Sequence, residues 1–252
     1  MPDRKRTTGR STVTVPLVVA VVAALVTAVM VLTPRLTDDP GSADRPGAAN
    51  DASRDARSKP REALESPEPL AALIRRQPGD PMALGETDAP VVMINYAEFQ
   101  CPFCGKFARD TAPALIEKYV DDGTLRIEWR DFPYLGPEST TAAEAGRAAA
   151  AQGEFWAFHD QMYANQQPPN SGRLTEDYLA GIAEEIGLDV EQFRKSMNTR
   201  EAADAVQRDF AEGQSIGVTG TPAFLINGRP IMGAQPVEVF EAAIKQAADA
   251  AR

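Results

Sequence analysis

Apolar and polar positions divide the chain into stretches with different periods. Residues 13–32 form a 20-residue run without a charged side chain, rich in Val and Ala. The run has no polar face, whereas a helix of a soluble domain shows one to water. As a helix it spans about 30 Å, one hydrocarbon thickness. Residues 33–80 show no sustained period, and Pro34, Pro40, Pro46, Pro60, Pro67, Pro69 and Pro78 break any long helix there. Their Pro, Ala, Asp, Arg and Ser predict a solvated tether with a short helix near residues 61–77. Leu70, Leu73 and Ile74 leave open a second reading, an ordered extension packed on the domain C-terminal to it.

Beyond residue 80 the pattern becomes that of a folded domain. Residues 91–96, Val-Val-Met-Ile-Asn-Tyr, are a short apolar run after Pro90, as in a buried central strand. A helical pattern runs from Cys101 to about Val120 and stops at Asp121-Asp122-Gly123. Residues 124–131 alternate. Leu125, Ile127 and Trp129 face one way and Arg126, Glu128 and Arg130 the other, which predicts a strand with one exposed face. Helical segments follow at 140–152, 154–165, 175–186, 189–197 and 200–216. Residues 223–226 read as a strand and Asn227-Gly228 as a two-residue hairpin turn. Pro230 puts the return arm at a sheet edge, and residues 236–250 close the chain as a helix. The order predicts an α/β fold, a mixed sheet with a helical insertion over about residues 138–216.

All 17 aromatic residues lie at Tyr96 or later, so the core belongs to that part. Residues 1–79 carry 12 Lys+Arg and 9 Asp+Glu, a charge of +3, whereas residues 80–252 carry 14 and 27, a charge of −13. So acidic a domain repels phosphates, which argues against nucleic acid as a partner. One His and two Cys exclude most all-protein zinc sites, and no metal is expected. Arg4, Lys5, Arg6 and Arg10 precede the apolar run, and the positive-inside rule keeps them in the cytoplasm. Residues 1–12 are thus the cytoplasmic N-terminus and 13–33 a transmembrane signal anchor. Residues 34–80 are the flexible linker, and 81–252 an extracytoplasmic domain held at the cell membrane by a single pass. A cleaved signal peptide competes with this reading. The length of the apolar run and the lack of an Ala-x-Ala site just after it favour the uncleaved anchor.

The two cysteines, Cys101 and Cys104, sit where the first strand hands over to a helix. Positions i and i+3 of a first turn lie about 5–6 Å apart, which suits a disulfide. Free N–H groups at a helix N-terminus stabilise a thiolate. Pro102 fits a first turn, where its missing N–H has no partner to lose. Cys101 is thus expected to be the exposed, low-pKa nucleophile and Cys104 the resolving thiol. A structural disulfide closing four residues would add little stability, and for a metal site only His159 could supplement the sulfurs. Two inert core cysteines would not explain a place at a helix start. Spacing and export together point to redox chemistry. Thr221-Pro222, directly before a strand, is a candidate cis peptide, the alternative being a trans proline that starts the strand. His159, beside Phe155, Trp156 and Phe158, reads as structural.

On four segments the sequence resembles the DsbA-like thiol–disulfide oxidoreductases of the thioredoxin superfamily. These are residues 84–91 (Leu-Gly-Glu-Thr-Asp-Ala-Pro-Val), Cys101-Pro102-Phe103-Cys104, Trp129-Arg130-Asp131-Phe132-Pro133 and Gly220-Thr221-Pro222-Ala223-Phe224. They keep the family order across about residues 82–250. The resemblance implies a thioredoxin fold with a helical subdomain inserted before the cis-Pro strand. It places a cis Thr221-Pro222 beside Cys101, where the backbone of Thr221 pairs with an extended substrate peptide. It implies exchange through a mixed disulfide with exported cysteine-containing proteins, reoxidation by a membrane quinone-linked partner, and no bound cofactor. Two features depart from the pattern. Related enzymes often carry a buried acid six positions before the first cysteine, where this chain has Asn95. Glu98 is then the nearest acid, readable as a proton acceptor or as a solvated charge. Phe103 stands where strongly oxidising members have His, which argues against an extreme potential. Three functions fit these features: a thiol oxidase, a reductase or isomerase kept reduced, and a peptide-binding, chaperone-like module with incidental thiols. The linker shows no dimerisation domain of the kind isomerases carry, which favours the oxidase.

Overall fold

In the computed structural model the described residues are 70–252, so the expected anchor and most of the tether lie outside them. Among the described residues no helix is long and apolar enough to cross a membrane.

Every residue of β2, Val91–Ala97, is buried. A segment apolar on both faces belongs in the middle of a sheet, and β2 occupies that place. The five strands are β1 (Ala83–Leu84), β2, β3 (Leu125–Asp131), β4 (Ala223–Ile226) and β5 (Arg229–Met232), in the order β1-β3-β2-β4-β5. β2 and β3 are parallel and the other pairs antiparallel. Asn227 and Gly228 both take positive φ, 43° and 84°, as a two-residue turn between β4 and β5 requires. Pro230 lies on β5 at the sheet edge, where its missing N–H costs no ladder bond.

The crossover from β2 to β3 is a helix, α1, over residues 102–120. Pro113 interrupts it, because proline has no N–H and its ring crowds the carbonyl four residues back. The helix widens there, and the N–H of Ala112 reaches the carbonyl of Phe107. A second widened turn ends where the N–H of Asp121 reaches the carbonyl of Ile116. Between β3 and β4 come α2 (Pro137–Ala150), α3 (Phe155–Ala164), α4 (Glu176–Glu185), α5 (Val190–Met197) and α6 (Arg200–Ser215). The side chains of Thr175, Asp189 and Thr199 cap the last three. α7 (Val237–Ala250) ends the chain and buries Phe240 and Ile244 with Phe107 and Phe224. Phe99, Trp129, Phe155, Phe158 and Phe193 join the insertion to the sheet.

Two expectations need correction. The polar face of β3 is not exposed, since all seven of its residues are buried. Residues 70–80 cover it instead of belonging to a free tether, as the second reading on Leu70, Leu73 and Ile74 allowed. Leu70 is buried with Ile94, Tyr96 and Phe132. Glu128 accepts the backbone N–H groups of Arg75 and Arg76, at 3.1 and 2.8 Å. Arg126 donates to the carbonyl of Gln77, and Arg130 to that of Leu73 and to Glu212 of α6. The charges of β3 are thus partners of an extension that begins by Leu70, eleven residues before the expected boundary. Burial alone would raise the Glu128 carboxyl, but Arg130 and the two N–H groups outweigh it and hold the pKa down.

Candidate active site

The loop between β2 and α1 carries Glu98, Phe99 and Gln100, all buried. Phe99 stacks on Trp129 with ring centroids 5.4 Å apart. The insertion grips the rest of the loop. Gln100 donates to Ser139 Oγ of α2 at 2.7 Å, and Tyr163 of α3 donates its hydroxyl to the Glu98 carbonyl at 2.9 Å. Gln166 donates to the carbonyls of both Phe99 and Cys101, at 3.0 and 2.9 Å. A Cβ on Gly105 would overlap the Gln166 amide, so glycine after the second cysteine lets this clamp close.

Cys101 is the N-cap of α1, and Pro102 takes the first turn. The two thiols are free. Cys101 Sγ accepts the N–H of Cys104 at 3.4 Å and donates to the Thr221 carbonyl at 3.2 Å. The Thr221–Pro222 bond is cis, and Gly233 on the far side of β5 donates to the Pro222 carbonyl at 2.8 Å. Cys101, Cys104, Thr221, Pro222 and Glu98 therefore meet at one end of the sheet. Phe103 projects outward beside them, 63% exposed.

Exposure does not distinguish the cysteines as expected, because Cys101 is 1% and Cys104 2% exposed. The Cys101 sulfur turns inward to its two partners instead of outward to water. Acidity does distinguish them. The Cys101 pKa is lowered to about 6, chiefly by the Cys104 thiol donating to its sulfur, against the effect of burial. The N–H groups of Cys104 and Phe103 assist. The helix-terminal N–H groups thus contribute, but the partner thiol contributes most. Burial, reinforced by Cys101, holds Cys104 well above the ordinary thiol range.

Glu98 is buried, which removes its reading as a solvated charge. Ser139 Oγ donates to one carboxylate oxygen, and the N–H of Leu135 to the other at 3.2 Å. Burial nevertheless lifts its pKa to about 7, with a further push from the Cys101 charge. Asn95, on β2, is buried with Oδ1 unpartnered. His159 lies in an aromatic cage, its ring 4.8 Å from that of Tyr163 and 5.4 Å from that of Trp129.

Tyr134, Ser139, Tyr163 and Gln166 were not marked by the sequence as part of this site. Tyr134 is 42% exposed, and its phenol is raised by burial and by the charge of Cys101. It lies one residue past the Trp129–Pro133 segment, and no motif reaches it. Tyr163 belongs to the aromatic spacing of α3, which signals packing only.

Comparison with known proteins agrees with this geometry. A thioredoxin family model matches residues 77–246. A probable disulfide bond formation protein D of Bacillus cereus is 35% identical over 150 residues, 58% of this chain and 69% of that protein. A Na(+)/H(+) antiporter NhaA 3 of Salinispora tropica is 36% identical over 170 residues, 67% of this chain but only 25% of that longer protein. Wolbachia pipientis alpha-DsbA1 superimposes with a TM-score of 0.64 at 25% identity, covering 72% of this chain and 97% of that one. Oxidised BdbD of Bacillus subtilis gives a TM-score of 0.63 at 22% identity, covering 68% and 94%, and so shares the fold. With a cysteine pair split in acidity at a helix start and a cis proline beside it, the chain belongs to the thioredoxin family and is a DsbA-like thiol–disulfide oxidoreductase.

Proposed function

We propose that this oxidoreductase works as an oxidase, donating the Cys101–Cys104 disulfide to exported cysteine-containing proteins. A substrate thiolate attacks Cys101 Sγ, and Cys104 leaves with the electron pair of the broken bond. A second substrate thiolate attacks the substrate sulfur of the mixed disulfide, and Cys101 leaves as a thiolate. Two electrons and two protons pass to the enzyme, and a membrane quinone-linked partner removes them. The split in acidity carries this reading. Cys101, at about 6, is the better leaving thiolate near neutral pH, and it favours release of an oxidised substrate.

Cys104 is a poor thiolate and takes up a proton as it leaves. Glu98, at about 7, holds a proton part of the time at neutral pH and is the acid–base group we assign to it. Thr221 and Pro222 form the edge for an extended substrate segment, with Phe103, Tyr134 and Met232 as exposed apolar neighbours of the segments that carry it. The charge-flanked run at residues 13–33 supports a membrane-anchored enzyme with its domain outside the cytoplasm. Equilibration of the full-length protein with glutathione tests the direction. An oxidase gives a potential less negative than about −200 mV, whereas one near the roughly −270 mV of thioredoxin identifies a reductase.

A further inference from the structure

The buried carboxylate of Glu98 ends two hydrogen-bonded arms, and both start at Asn170, an exposed residue of the loop between α3 and α4. In the first arm the backbone N–H of Asn170 meets Gln100 Oε1 at 2.7 Å, Gln100 Nε2 meets Ser139 Oγ at 2.7 Å, and Ser139 Oγ meets Glu98 Oε2. In the second arm the Asn170 side-chain amide donates to the Leu135 carbonyl at 3.0 Å, and the N–H of Leu135 donates to Glu98 Oε1 at 3.2 Å. The direction of the first arm is forced. A backbone N–H only donates, so Gln100 turns its oxygen to Asn170 and its NH2 to Ser139. That NH2 also only donates, which leaves the single proton of Ser139 for Glu98. Both oxygens of Glu98 thus face donors. A carboxylate accepts at both, whereas a carboxylic acid has a proton of its own to place. Gln100 and Ser139 are fully buried, so bulk water does not reorder the chain.

We propose that Asn170, Gln100 and Ser139 are positioning residues, a relay that holds Glu98 as the carboxylate that takes the proton of Cys104. This rests on the acid–base reading of Glu98 given above. Among the described residues no ion pair includes Glu98, so hydrogen bonds are what offset its burial. The titratable groups that act on it or feel it are Cys101 and Cys104 at the start of α1, Tyr134 after β3 and Tyr163 of α3. Of these only Cys101 is ionised near neutral pH, and its charge opposes a second one on Glu98. A hydrogen bond to a charged group shifts the balance between ionised and neutral forms by about tenfold. Without the Ser139 donor Glu98 therefore keeps its proton to higher pH and takes the Cys104 proton less readily. The step concerned is closure of the disulfide from a mixed disulfide between Cys101 and glutathione. The Cys104 proton passes to Glu98, Cys104 Sγ bonds to Cys101 Sγ, and glutathione leaves as its thiolate.

The test is an NMR pH titration of the oxidised full-length protein, in which no thiolate titrates, with 13C-labelled Glu carboxyls and 15N-labelled Gln and Asn. In the unaltered protein the Glu98 carboxyl, the Gln100 side-chain amide and the Asn170 N–H share one midpoint. It lies below the value of about 7 that the Cys101 thiolate helps to set. Ser139→Ala raises the proton affinity of Glu98 about tenfold. A Glu98 midpoint unmoved in Ser139→Ala overturns the proposal, and so do Gln100 and Asn170 signals that ignore the Glu98 titration. The second criterion needs no variant, so it decides the matter even where Ser139→Ala unfolds the domain. Stopped-flow closure of the glutathione mixed disulfide tests the reading beneath the proposal separately. Its rate should rise with the Glu98 midpoint in both proteins, and Glu98→Gln should abolish that limb. A pH profile that Glu98→Gln leaves unchanged removes the acid–base role of Glu98, and with it the catalytic purpose of the relay, whatever the NMR titration shows.

Discussion

Cys101 and Cys104 are equally hidden from water, and the difference between them lies in which one ionises. Thiolate absorbance at 240 nm in the reduced protein is expected to rise with a midpoint near pH 6, from Cys101 alone. Because the Cys104 thiol is the largest influence on that value, Cys104→Ala moves the midpoint upward, and Cys104→Ser, which keeps a donor, moves it less. The same shift makes stability depend on pH. A thiol with a depressed folded pKa contributes stability above its unfolded value of about 8.5 and loses it as pH falls through the folded one. The reduced protein therefore gains on the oxidised one between about pH 6 and pH 8.5, by roughly 3 kcal/mol, read from denaturant midpoints of the two forms. Glu98 acts in the opposite sense, its contribution being lost as pH rises from about 4.5 to about 7. Both redox forms contain it, so it largely cancels in the difference. The cysteines and Thr221-Pro222 were legible because their chemistry depends on local spacing. Glu98 was legible as an acid but not as a buried one, because Ser139 and Leu135 reach it from 41 and 37 positions away.

Among the elements, periodicity found β2, β3, β4 and the helices of the insertion, and Asn227-Gly228 announced the hairpin, whereas β1, only two residues long, shows no repeat and was not predicted. The strand β3 shows where a local pattern misleads. Its alternation is the usual sign of a solvated face, but Arg126, Glu128 and Arg130 meet backbone and side-chain partners from residues 73–77 and α6. Nothing within residues 124–131 encodes that cover. Glu128→Ala leaves Arg130 buried without its 2.7 Å partner and is expected to cost about 3–5 kcal/mol in denaturant unfolding. It also frees the extension, so trypsin should cut after Arg75 and Arg76 faster than in the unaltered protein. At the other side of this face, a Cβ on Gly213 of α6 would lie 2.8 Å from two ring atoms of Phe132. Gly213→Ala is thus expected to destabilise by about 1–3 kcal/mol through overpacking, measured in the same way. The widened turns of α1 were not predicted, since residues 101–120 read as one helical pattern; Pro113 lies at the first and no such residue at the second.

At the scale of the molecule, the start of α1 supplies the cysteines, the turn before β4 supplies the cis proline, and the insertion supplies groups that hold the active-site loop. Ser139, Tyr163 and Gln166 all come from the insertion or the loop after α3, and all touch the active-site loop. The sequence placed the insertion between two strands but gave no sign of which side chains would reach back. The division of labour in the site rests on that assembly, and trapped substrate adducts test it most directly. Full-length Cys104→Ser and Cys101→Ser proteins, produced in an exporting host, are compared by non-reducing electrophoresis. Cys104→Ser should accumulate mixed disulfides with exported proteins, because the resolving thiol is gone. Cys101→Ser should accumulate few, because Cys104 is a poor thiolate. Equal adducts in both variants, or none in either, would contradict the assignment of Cys101 as the sulfur that meets substrate.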